Sequence, residues 1–166
     1  VDVQVIRSAG RVKSVSAREE NGVLIVRAPA GMSDAELQPI IERLRARIDR
    51  RKIKRDLDDA DLARRAQALN RTYFEGKLVW KSLVWTTNQD HRWGSCTPAT
   101  GAIRISHRLA TLPEWVLDYV IVHELAHLLE SNHGPRFWAL VQRYPRTERA
   151  RGYLMALSGE DQEEEM

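Results

Sequence analysis

His123-Glu124-Leu125-Ala126-His127 constrains this chain more than any other stretch. On an α-helix each residue turns about 100°, so histidines four apart stand about 40° apart on one face. Val116 and Val120 precede them on the same stripe and turn that face towards an interior. Leu125, Ala126, Leu128 and Leu129 add apolar surface around it, which suits a rigid, packed support for a site. Two imidazoles on one face can reach a single ion, and neutral imidazole is a good zinc ligand. A glutamate directly after the first histidine commonly serves as general base beside such an ion.

An open catalytic zinc site takes three protein ligands and keeps a fourth position for water. His133 is the expected third ligand. It lies six residues after His127, where a continuous helix would turn it about 240° away. The helix must therefore end first. Ser131-Asn132 is the expected stop, because asparagine tolerates the left-handed conformation that ends helices. Gly134-Pro135 then opens a new helix through Phe137, Leu140 and Val141. Glu130 and Glu148 are the alternatives for the third position. Cys96 as a fourth ligand would close the site and make it structural.

The rest of the chain supplies strands and two further helices. Val1, Val3 and Val5 alternate with polar residues, Val12 to Ala17 partly repeats the pattern, and Val23 to Val26 is apolar and branched. Asn21-Gly22 between the later runs signals a hairpin, so an antiparallel meander is expected. Ser33 and Glu36 form a capping box before Ile40, Ile41, Leu44 and Ile48 at helical spacing, with Pro39 in the early turns. Arg43, Arg45, Arg47, Arg50, Arg51, Lys52, Lys54 and Arg55 make that helix basic. A second helix holds Leu62, Ala63, Ala66 and Leu69 and ends before Gly76. Leu78 to Thr87 and the stretch around Ile103 and Ile105 read as extended. Thr111 and Glu114 are spaced for a second capping box.

The chain has 166 residues, 43% hydrophobic and 30% charged, which is ordinary globular usage. No apolar run reaches the roughly 20 residues that span a bilayer, so no membrane partner is expected. The given sequence opens without a signal-peptide core. The single cysteine, Cys96, suits a reducing compartment, and the cytoplasm is the expected location. Glu160, Asp161, Glu163, Glu164 and Glu165 form an acidic tail without a base, expected to be disordered. Without those five acids, 26 bases face 18 acids, so residues 1–159 carry +8. Such a surface attracts polyanions, so nucleic acid through the basic helix, or an acidic protein, is a candidate partner; a solvated basic helix face is the plainer account of the same charge. The oligomeric state is left open.

Arg92-Trp93-Gly94-Ser95-Cys96, Gly101, Ile103, Pro113, Asp118-Tyr119-Val120, His123 to His127, Asn132-His133 and Phe137-Trp138 together resemble the YgjP-like metallopeptidase domain, a family related to SprT-like zincins. The resemblance is strongest over residues 91–145. It implies an α+β fold with a zincin-like metallopeptidase core, here with the N-terminal meander and a small sheet packed on the HExxH helix. It carries His123, His127 and His133 over as zinc ligands and Glu124 as the catalytic residue. Residues 1–158 are expected to form one metallopeptidase domain, with a β-rich and basic helical part over 1–75 and the core over 76–158. The metzincins share the histidine spacing but need a glycine where this chain has Glu130, and Met155 lies in a helical pattern.

The expected function is zinc-dependent hydrolysis of a protein or peptide substrate. Arg92, Trp93, Gly94 and Tyr119 are candidate cleft residues. Trp93 packing in a core and Gly94 permitting a bend is the competing account of the first stretch. Tyr119, His107, Arg104, Tyr144 and Tyr153 are candidate oxyanion stabilisers. The competing function is a nucleic-acid-associated or adaptor domain retaining a metal site, motivated by Arg43 to Arg55, Arg64, Arg65 and Arg71.

Overall fold

The computed structural model describes residues 2–158. The acidic tail and its expected disorder lie outside the described residues. The chain forms two compact units, one through Arg55 and one from Asp56, built around separate apolar cores.

The first unit contains β1 (Asp2–Ser8), β2 (Ser16–Glu20), β3 (Val23–Pro29) and α1 (Asp34–Asp56). The strand order is β1-β3-β2, with β1 parallel and β2 antiparallel to β3. The expected antiparallel meander is therefore wrong. The Asn21-Gly22 hairpin forms, with both residues at positive φ, but β1 joins the far side of β3 rather than pairing with β2. The apolar run decides this. Leu24, Val26 and Ala28 are buried, whereas β1 and β2 are mostly exposed, so the strand with most to bury takes the centre. Val12, expected in a strand, is 83% exposed and lies before β2.

The Ser33–Glu36 capping box forms in both directions. Glu36 N donates to Ser33 Oγ at 3.2 Å, and Ser33 N donates to Glu36 Oε2 at 2.9 Å. α1 continues through Pro39 and buries Leu37 and Ile41 against Leu24, Val26 and Ala28.

The second unit begins with α2 (Asp59–Phe74), then β4 (Ser82–Thr86), β5 (Gly94–Thr97) and β6 (Ala102–Ser106). A 3₁₀ turn (His107–Thr111) leads to α3 (Glu114–Ala126), α4 (Pro135–Val141) and α5 (Thr147–Ser158). Here too a central strand separates two partners: β4 is parallel and β5 antiparallel to β6. α2 lies in this second compact unit, which begins at Asp56. Its Leu62, Ala66, Leu69 and Phe74 enter the larger core. Buried Asn70 ties its C-terminal end to the chain beyond, bonding both N–H and C=O of Leu78.

α3 is the axis of this unit. It touches α2, β5, β6, α4 and α5, and every residue from Tyr119 to Ala126 is buried. A helix apolar on all sides needs such a central position. The second capping box does not form. Thr111 is drawn into the 3₁₀ turn and donates to Arg108 O, and Pro113 occupies the cap position. Among the described residues, no helix is long and apolar enough to cross a membrane.

Candidate metal centre

α3 carries His123 and Glu124 into the interior, where they are 0% and 1% exposed. The helix ends at His127, earlier than expected. Leu129 N and Glu130 N both donate to Ala126 O at 3.0 Å, a tightened last turn. Asn132 does not adopt a positive φ, so the left-handed stop expected there is not used. The consequence for His133 is nonetheless the expected one. The chain turns back, Gly134 and Pro135 start α4, and His133 returns to the pair on α3.

One ligand-capable atom from each of His123, His127 and His133 lies within 4.8 Å of the others. His133 Nε2 and His127 Nε2 are 3.0 Å apart. His127 Nδ1 donates to Glu130 O at 3.0 Å, which fixes the proton on Nδ1 and leaves Nε2 its lone pair. His123 Nδ1 lies 3.4 Å from the Tyr119 hydroxyl, and buried His123 Nε2 has no hydrogen-bond partner. Burial lowers the pKa of all three, and that of His123 falls well below the ordinary value, pressed further by the other two. All three are thus held in the neutral form that binds metal. The donor set and the partnerless buried nitrogen fit a metal ion.

Phe137, fully buried on α4, organises the rings. It stacks on His127 with centroids 4.4 Å apart, and its faces and edges meet His123 at 4.8 Å and His133 at 4.9 Å. Trp138 flanks His123 and His133, and the Arg151 guanidinium covers its ring at 4.2 Å. The sequence places Phe137 on an apolar helix face and within the family resemblance, but not against the imidazoles. Its position four residues after His133 is the signal that it shares that turn.

Glu124 points towards β5. A Cβ on Gly94 would stand 2.7 Å from Glu124 Oε1 and 2.9 Å from its Cγ. Gly94 is therefore needed for close approach rather than for an unusual bend. Glu124 Oε1 is buried without a partner, and burial pushes its pKa up to about 8, with the nearby Arg92 charge opposing.

The other candidates divide. Tyr119 is fully buried against His123. Trp93 packs in the core beneath the Arg108 guanidinium at 4.1 Å, while Arg92 is exposed. Cys96 is half-buried, outside the histidine cluster, with its thiol pushed up to about 11 by burial and Glu124. Glu130 contributes its carbonyl to His127, and Glu148 bonds Gln142 and Arg151, so neither carboxylate joins the cluster. His107 donates to Thr86 O, Tyr144 donates to Trp115 O, Tyr153 meets the Trp115 ring, and Arg104 is exposed on β6.

The segment holding β5, β6, the histidine cluster and Gly94 lies within residues 79–156, which fit the family described as YgjP-like, metallopeptidase domain. This stretch matches the YgjP-like metallopeptidase family. No curated protein matches the chain. A similar solved structure is the crystal structure of the metallopeptidase zymogen of Pyrococcus abyssi abylysin, with 21% identity and a TM-score of 0.48. The alignment covers 60% of this chain and 93% of that chain.

Proposed function

We propose that the protein is a zinc-dependent metallopeptidase with a zincin-like core, in which His123, His127 and His133 hold the ion and Glu124 is the general base. The observation that carries this reading is the cluster of three neutral imidazoles, two buried and one half-buried, beside a buried carboxyl group without a partner. The YgjP-like metallopeptidase match supports it, and a peptidase family implies a protein or peptide substrate. Three imidazoles with no thiolate suit zinc, and leave a coordination position open.

Bound zinc would supply Lewis acidity, lowering the pKa of water and polarising a carbonyl. Glu124 then takes the proton of the attacking water and delivers it to the leaving amine. In the metal-free site burial favours the protonated carboxyl; the charge of a bound ion would favour the carboxylate, the form that accepts the proton. Tyr119 supports the His123 ring, Phe137 holds the three imidazoles in register, and burial keeps bulk water from Glu124.

The test compares Glu124→Gln and His123→Ala with the parent protein on a peptide library, alongside metal analysis. Glu124→Gln should retain one zinc ion per chain and lose hydrolysis by about 10²–10⁴-fold. His123→Ala should lose both. Undiminished hydrolysis by Glu124→Gln would remove it as the base, and parent protein that binds no zinc would remove the whole reading.

A further inference from the structure

Residues 1–55 contain 13 Lys and Arg against 7 Asp and Glu, a net +6, while the remainder contains 13 against 16, a net −3. The positive charge of the chain is therefore a property of its first unit. Within that unit it is further concentrated on α1. Arg43, Arg47 and Arg50 recur at spacings of four and three, which places them within about 60° of one another on the helix, with Arg51 adjoining. Arg43, Arg47 and Arg51 are exposed and Arg50 is partly so. None of the four side chains forms an ion pair or hydrogen bond among the described residues. The acids Glu42 and Asp49 lie on a different face of the helix.

Other bases are neutralised locally. Arg64 pairs with Asp61, Arg65 with Asp118 and Glu114, and Lys52 with Glu19 at 4.0 Å. Arg64 and Arg65 on α2 are thus set apart from the stripe on α1. Arg51 also reaches an open groove of about 600 Å³ between α1 and β2, whose other charged residues are paired, Arg18 with Glu20 and Lys52 with Glu19.

We propose that the Arg43-Arg47-Arg50-Arg51 stripe of α1 binds the phosphate backbone of double-stranded DNA without reading its sequence. Guanidinium groups match phosphate oxygens in a planar fork, and successive turns of the helix present them about 6 Å apart along its axis. A membrane surface is the weaker fit. A helix lying in a bilayer interface buries an apolar face there, and the apolar face of α1 is already used by Leu24, Val26 and Ala28. The stripe belongs to the first unit, so this proposal stands or falls separately from the metal site.

The experiment is fluorescence anisotropy of a labelled random-sequence duplex of about 20 base pairs with the full chain over a salt series. Four phosphate contacts predict a slope of log K against log salt of about −3 to −4. Arg43→Gln/Arg47→Gln/Arg50→Gln should reduce that slope by about 2–3 and weaken binding at least about tenfold at low salt. Arg64→Gln/Arg71→Gln/Lys77→Gln removes the same charge elsewhere and should leave binding nearly unchanged. Circular dichroism checks folding. Should the triple variant unfold, single Arg43→Gln and Arg47→Gln variants should each reduce the slope by about one. No duplex binding at low salt overturns the proposal. So does equal weakening by the two triple variants, or tighter stripe-dependent binding to phosphatidylserine vesicles than to the duplex.

Discussion

Gly94 and Glu124 are 30 positions apart in sequence, yet each fixes what the other can be. The β5 backbone approaches the carboxylate so closely that any side chain at 94 would overlap it. Gly94→Ala should therefore destabilise the fold by about 1–3 kcal/mol, as overpacking does, and move Glu124 enough to reduce turnover. The same substitution in a Glu124→Ala background should be nearly neutral, because the overlapping atoms are gone. A double-mutant cycle by denaturant unfolding measures this, and equal penalties in both backgrounds would mean that Gly94 serves another purpose. His127 illustrates a related point. Its ring can present Nε2 because Nδ1 is committed to the Glu130 carbonyl, so Glu130 supports the site through its backbone rather than its charge.

At the scale of elements, the site depends on the turn between α3 and α4. Helical geometry forbids His133 from joining His123 and His127 unless the chain reverses, and Gly134-Pro135 marks where the next helix starts. What holds the reversal is Phe137, whose ring lies among all three imidazoles. Phe137→Ala should cost about 3–5 kcal/mol of stability and weaken metal binding, while Phe137→Leu should restore most of the stability. Unfolding curves and a zinc titration check both. Metal affinity unchanged in a folded Phe137→Ala protein would show that the turn holds without the ring.

At the scale of the whole molecule, folding without metal traps four titratable groups in the second unit. Burial raises Glu124 from an ordinary value of 4.5 to about 8, so the folded state holds its proton more tightly than the unfolded state. That contribution is fully present below 4.5 and is lost as pH rises through 8. The three histidines are lowered from 6.5, so their contribution is present above 6.5 and is lost as pH falls through their folded values. From about one pH unit above 6.5 up to 8 the histidines are neutral in both states, and among these four mainly the glutamate changes. Chelator-treated protein should then lose stability as pH rises over that window, and Glu124→Gln should flatten the loss. Melting temperature against pH tests it, and parallel profiles for the two proteins would contradict the buried-carboxyl account.

The sequence alone determined the helix of His123 and His127, the glutamate between them, and the return of His133. Those follow from residue spacing, which is local and fixed by helical geometry. It also set the Ser33–Glu36 cap, which forms between neighbours. Tertiary structure decided the rest. The order β1-β3-β2 depended on which strand had most apolar surface to bury, not on which strands were adjacent in sequence. The grouping of α2 with the histidine cluster, the clearance at Gly94 and the pairing of Arg65 with Asp118 depended on partners far along the chain. Such contacts leave no periodic trace, because burial and close approach are properties of the packed whole.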